Sequence, residues 1–158
     1  MPDAITPRDR EWLQKAIDLS RSCPPSTTAF SVGALVVGAD DDVISTGYSR
    51  EGDPHDHAEE TALAKLSPAD ARLTSATIYS SLEPCSERSS HPLTCTQLIL
   101  AAGISRVVLA WREPPLFVGC EGVELLQSAG CEVIEIPDLA DEVRAINAPL
   151  LGDSASSQ

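Results

Sequence analysis

At 158 residues and 42% hydrophobic, the chain has the size and apolar content of one domain around a single core, with no room for a second catalytic domain. Eleven basic residues against 24 acidic ones give a formal net charge of -13, which repels a phosphate backbone and argues against nucleic acid as a partner. No run of about 18 apolar residues occurs, and Met1-Pro2-Asp3-Ala4 has neither a basic start nor an apolar stretch, so no membrane association and a cytoplasmic location are expected.

The first helix is expected to begin near Thr6-Pro7, since proline is tolerated in a first turn. It carries Trp12, Leu13, Ala16, Ile17 and Leu19 and stops at Cys23-Pro24-Pro25. Residues 30–37 then read as a strand, 38–42 as a turn and 43–48 as the return strand, which together make a hairpin. Beyond the hairpin the period changes. Helices are expected over 57–66, 94–102, 118–129 and 139–148, alternating with strands over 76–82, 106–111 and 131–136. Two strand-helix-strand crossovers require at least three parallel strands. The expected fold is therefore α/β, a three-layer α/β/α sandwich with a five-stranded mixed sheet covered by helices on both faces. Leu139, Val143, Ile146 and Leu150 form an apolar stripe on the last helix, which docks it onto its own domain or onto a second subunit. Residues 1–151 are read as one domain and the small, polar residues 152–158 as a disordered tail.

Five cysteines is an odd number. Cys23, Cys120 and Cys131 read as reduced thiols packed as small apolar side chains. Cys85 and Cys95 belong to a different context. His57-Ala58-Glu59 stands at a helix start, Glu83-Pro84-Cys85 at the end of the next strand, and Cys95 at the start of the following helix. One imidazole and two thiolates make a three-ligand zinc set that leaves a fourth position to water, and Glu59 is placed to move that water's protons. Helix N-termini carry a positive partial charge and unpaired N–H groups, which favours thiolates there. Taken singly, these residues have plainer readings: Asp56 and Glu59 as a helix cap and its N3 partner, the cysteines as buried thiols. Their conjunction favours a catalytic zinc. Thr94 and Gln97 form a capping box that fixes the helix start beside Cys95.

On these motifs the chain resembles the zinc-dependent cytidine deaminase superfamily. Phe30-Ser31-Val32-Gly33-Ala34, His57-Ala58-Glu59 and Glu83-Pro84-Cys85-Ser86 all match its pattern. Within it the chain is most similar to the pyrimidine deaminase domain of the bifunctional riboflavin-biosynthesis enzyme. That likeness rests on Ser81-Leu82-Glu83-Pro84-Cys85-Ser86, the long gap to Cys95, Ala102-Gly103-Ile104-Ser105-Arg106-Val107-Val108, Arg112-Glu113-Pro114-Pro115 and Gly122-Val123-Glu124-Leu125-Leu126. The resemblance implies a cytidine deaminase-like fold, zinc on His57, Cys85 and Cys95, Glu59 as proton shuttle, and a homodimer with residues 139–151 near the site.

Two departures bear on substrate. Nine residues, 86 to 94, separate Cys85 from Cys95, where the riboflavin enzymes usually have eight; the loop has an early Glu87 and no glycine. No reductase domain is expected beside the deaminase motifs in these 158 residues. The expected substrate is therefore a small aminated heterocycle, with the phosphoribosyl pyrimidine of riboflavin biosynthesis as the alternative. Phe30, Trp111 and Phe117 are candidates to flank a ring, and Arg88 and His91 to contact its polar groups. Two further alternatives share the motifs: a nucleic-acid-editing deaminase, which needs basic or aromatic surface, and a structural zinc module closed by Cys120 or His91.

Overall fold

The computed structural model describes residues 5–24, 26, 29–67, 69–85, 94–112 and 121–148. Helix α1 (Pro7–Ser20) opens with Thr6, whose side chain accepts from the Asp9 N–H at 3.0 Å while the Asp9 carboxylate accepts from the Thr6 N–H at 3.0 Å. Asp9 is buried and also accepts from both Arg106 terminal nitrogens, at 2.9 and 2.8 Å, and from the Tyr79 hydroxyl at 2.8 Å. One carboxylate thus starts the first helix and fastens it to two strands of the sheet.

Strands β1 (Gly33–Val37) and β2 (Val43–Tyr48) pair antiparallel, as the hairpin reading requires. Then follow α2 (Ala58–Ala64), β3 (Thr77–Leu82), α3 (Cys95–Ala102), β4 (Arg106–Trp111), α4 (Gly122–Ser128), β5 (Glu132–Glu135) and α5 (Ala140–Ile146). The sheet order is β2-β1-β3-β4-β5, with β1 antiparallel to β3 and β3, β4 and β5 mutually parallel. The expected three parallel strands and five-stranded mixed sheet are present.

Alternating side chains send the two faces of the sheet to different layers. Leu35, Val37, Tyr79, Val108, Ala110 and Ile134 pack with Trp12, Leu13, Ala16 and Ile17 of α1 and Val143 of α5. On the opposite face Val36, Ile78 and Val107 pack with Ala62 of α2, Ile99 of α3 and Leu126 of α4. Gly33 makes the first layer possible: a Cβ there would stand 2.0 Å from the Ala16 carbonyl oxygen, so the helix lies against bare backbone.

Several boundaries differ from expectation, most informatively at the starts of α2 and α5. Helix α2 begins at Ala58 because His57, extended at φ -97 and ψ 155, is its N-cap. The segment before α5 is a 3₁₀ turn, Pro137–Leu139, so that Leu139, expected to open the last helix, is instead its N-cap. The stripe on the last helix docks onto its own domain: Leu139, Val143 and Ile146 all join the core on the α1 side. Leu150 and the tail 152–158 lie outside the described residues. Among the described residues, no helix is long and apolar enough to cross a membrane.

Candidate metal centre

The C-terminal ends of β3 and β4 and the N-termini of α2 and α3 meet at one edge of the sheet, where parallel α/β sheets place their ligands. Because β1 runs antiparallel to β3, with Ala34 opposite Ser80, residues 30–32 arrive at this same edge.

His57, Cys85 and Cys95 come together there, their donor atoms all within 4.8 Å of one another. His57 Nδ1 is 3.5 Å from Cys85 Sγ and 3.3 Å from Cys95 Sγ. Both cysteines are buried. Zinc–sulfur bonds of about 2.3 Å and zinc–nitrogen bonds of about 2.05 Å at a tetrahedral angle give a nitrogen–sulfur edge of about 3.5 Å. The donor set and its spacing fit a zinc ion.

The local chain explains how each donor is held. Thr94 caps α3 with its side-chain oxygen 3.2 Å from the Gln97 N–H, and Gln97 Oε1 accepts in return from the Thr94 N–H at 2.8 Å, which is the expected capping box. Cys95 is therefore the first helical residue, and its first-turn N–H donates to Cys85 Sγ at 3.2 Å. Thr96 fixes the corner further by donating to the Cys85 carbonyl from its N–H at 3.1 Å and its hydroxyl at 2.7 Å. Hydrogen bonding from Cys95 outweighs the opposing effect of burial and, with help from His57, pulls the Cys85 thiol down to about 4. A thiolate at neutral pH is the form a metal binds.

The corner is also supported from behind. Glu83, buried, accepts from the Val123 N–H at 2.8 Å and stands 3.8 Å from the Arg112 guanidinium, which also pairs with Glu124. Gly122 lets α4 approach: a Cβ there would lie 2.1 Å from the Pro84 carbonyl oxygen.

Glu59 is buried, in the first turn of α2. The capping alternative does not apply to it. With His57 as N-cap the N3 residue is Glu60, whose Oε1 accepts from the His57 N–H at 3.2 Å. Glu59 turns inward, and Ser80 Oγ lies 2.8 Å from its Oε2. Burial, and then the charge of Cys85, raise its pKa, against the hydrogen bond from Ser80.

The aromatic candidates divide. Phe30 and Trp111 meet edge to face, ring centroids 6.0 Å apart, in an apolar cluster with Val32, Ala34, Leu82 and Ala58, the residue between His57 and Glu59. Arg88, His91 and Phe117 lie outside the described residues, as does Cys120.

Residues 6–111 match the model of the cytidine and deoxycytidylate deaminase zinc-binding region. The chain belongs to this family. It is 46% identical over 128 residues to a diaminohydroxyphosphoribosylamino-pyrimidine deaminase of Schizosaccharomyces pombe, a match covering 79% of this chain and 31% of that protein. It is similar to a Thermotoga maritima diaminohydroxyphosphoribosylaminopyrimidine deaminase/5-amino-6-(5-phosphoribosylamino)uracil reductase structure, with TM-score 0.79 and 29% identity over 96% of this chain and 42% of that one. An Aspergillus oryzae Rib2 deaminase in complex with DARIPP, a C-terminal deletion mutant, aligns with TM-score 0.76 and 26% identity over 88% of this chain and 89% of that one. The chain spans about a third of the length of the curated relatives it matches.

The sequence missed several supports of the site. Ser80 and Ser81 are fully buried on an interior strand, and buried hydroxyls need partners. That polarity was the available signal.

Proposed function

We propose that this protein is a zinc-dependent hydrolytic deaminase that replaces an exocyclic amine of a small heterocycle with a carbonyl and releases ammonia. The observation that carries the reading is the juxtaposition, at one sheet edge, of a His57-Cys85-Cys95 donor set and a buried carboxylate, Glu59, that is not the partner in the capping box at the start of α2. A structural zinc module has no use for such a carboxylate.

Zinc bound to the three donors supplies a Lewis acid that makes water nucleophilic near neutral pH. Glu59 does the proton work. It accepts a proton from water as the water oxygen bonds to the ring carbon bearing the amine and passes that proton to the ring nitrogen; it then takes the second proton from the new hydroxyl and gives it to the leaving nitrogen, so that the carbonyl forms as the C–N bond breaks and ammonia departs. Its raised pKa suits a group that must be base and then acid. Ser80 orients the carboxylate. Phe30 and Trp111 form an apolar wall beside it, suited to a flat ring.

The substrate class this reading favours is the phosphoribosyl-substituted aminopyrimidine. Its support is the 46% identity to a protein named for that deamination and the fold shared with the Rib2 deaminase. On this view Arg88 and His91 serve the polar part of the substrate, and Phe117 the ring. Among the described residues Cys23, Cys85, Cys95 and Cys131 form no disulfide, in keeping with the cytoplasmic location this reading includes. The reading includes a homodimer, which sedimentation velocity checks.

The test is ammonia release by the zinc-loaded protein from the diaminohydroxyphosphoribosylaminopyrimidine, cytosine, cytidine, deoxycytidine phosphate and guanine. Turnover of the phosphoribosyl pyrimidine alone supports the favoured class. Turnover of a free base alone replaces it with an unphosphorylated heterocycle, and turnover of none contradicts the deaminase reading.

A further inference from the structure

Arg50 has no place in the chemistry described above, yet it is built into the fold at some cost. It is one of two non-glycine residues with positive φ, at 61, among the described residues. A residue with a side chain in that region is held there by its surroundings. Its backbone N–H donates to the Asp56 carbonyl at 2.9 Å, one residue before His57. Its guanidinium reaches the other way, donating to the Phe30 carbonyl at 3.1 Å, to Ser31 Oγ at 2.8 Å and to the Pro24 carbonyl at 3.1 and 2.7 Å. One residue therefore joins the loop that delivers a metal donor to the segment that delivers Phe30.

The same segment is gripped from the opposite side by the C-terminal helix. Asn147, buried at the end of α5, accepts from the Ser31 N–H at 2.7 Å and donates to the Ser31 carbonyl at 3.3 Å. Its amide also donates to the Val143 carbonyl at 3.0 Å, which fixes the side chain on its own helix. One turn earlier, the Arg144 guanidinium lies over the Trp111 ring, 5.7 Å from its centroid. Both rings of the Phe30–Trp111 pair are thus tied to α5, one through backbone and one through its face.

We propose that Arg50 and Asn147 are positioning residues, two jaws that set the place of the Phe30–Ser31 segment relative to Glu59 and so determine how well a ring is held beside the metal donors. The proposal rests on the deaminase reading. Neither residue touches the reacting atoms; each acts through Phe30. A fork of donors shared among three acceptors is not reproduced by an ammonium, so lysine at position 50 keeps part of the grip. Aspartate at position 147 keeps the acceptor for the Ser31 N–H and loses both donors.

The experiment compares wild type with Asn147→Ala, Asn147→Asp, Arg50→Ala and Arg50→Lys as zinc-loaded full chains. It measures zinc content, thermal midpoint, and kcat and KM for whichever panel substrate the wild type turns over. KM is expected to rise about tenfold in the alanine variants and less in Asn147→Asp and Arg50→Lys, with kcat within about twofold and zinc retained. If an alanine variant does not fold, its conservative partner carries the same test. KM at the wild-type value in folded, zinc-loaded variants overturns the clamp and leaves the deaminase reading standing, as does a fall in kcat alone. A wild-type protein that releases no ammonia from any ring in the panel overturns the deaminase reading and the clamp with it.

Discussion

Ser80 Oγ and Glu59 Oε2 are 2.8 Å apart, and both residues are buried at the inner edge of the sheet. Ser80 Oγ is also 2.7 Å from the Leu82 carbonyl oxygen, so the hydroxyl has two acceptors and one proton. It can donate to an ionised Glu59, or donate to Leu82 and accept from a protonated one. Ser80→Ala removes the partner that serves both states. It is expected to lower kcat about tenfold to a hundredfold with little change in zinc content, measured by steady-state kinetics beside metal analysis. Unchanged kcat would remove Ser80 from the account.

The three metal donors differ from Glu59 in what their loss should do. Cys85→Ser and His57→Ala are expected to lose both bound zinc and turnover, because two donors do not hold the ion in competition with solvent and a chelator. Metal analysis after dialysis against a weak chelator reads this directly. Full zinc occupancy in either variant would show that the ion sits elsewhere.

The Asp9 network predicts an acid limb of stability. Burial alone would raise the Asp9 pKa, but the Arg106 guanidinium, the Thr6 N–H and the Tyr79 hydroxyl outweigh it and hold the carboxyl at about 2. A depressed carboxylate contributes stability that is fully present above its ordinary pKa of 3.8 and is lost as pH falls through about 2. The contribution near neutral pH is on the order of 2 kcal/mol. Asp9→Asn should therefore unfold more readily than wild type at pH 7, with the gap closing as pH falls from 4 toward 2. Urea melts across that range test it, and a gap independent of pH would mean packing rather than charge.

Gly122→Ala probes how α4 supports the cysteine corner. The new Cβ would meet the Pro84 carbonyl oxygen at 2.1 Å, and neither backbone can yield without moving Cys85 or the Glu83–Val123 bond. The expected result is a loss of about 1–3 kcal/mol of stability together with weaker zinc retention. A loss of stability with normal zinc affinity would place the strain in α4 alone.

Much of this was legible along the chain because it depends on local spacing. Strands β1 and β4 announce themselves as apolar runs buried on both faces, and Thr94 with Gln97 marks the start of α3 by a bond pair confined to one turn. The metal donors were readable because each sits at an element boundary. What was hidden depends on long-range packing. Whether Glu59 or Glu60 caps α2 turns on a one-residue choice of helix start, and only the fold makes His57 the N-cap. Arg50 has no mark in the sequence, since both its left-handed backbone and its bond to the distant Phe30 carbonyl depend on the fold. Asn147 has no mark along the chain, because its bonds to Ser31 span most of it.

Glu59→Gln is the most direct test of the central claim, because it keeps the shape and the Ser80 contact while removing the carboxylate that is to move protons. Zinc content and ammonia release are measured together on the wild-type and variant proteins, with the substrate the wild type turns over. The account predicts full zinc occupancy in the variant and turnover lower by several orders of magnitude, roughly 10³-fold or more. A zinc-loaded Glu59→Gln protein working at near wild-type rate would contradict it.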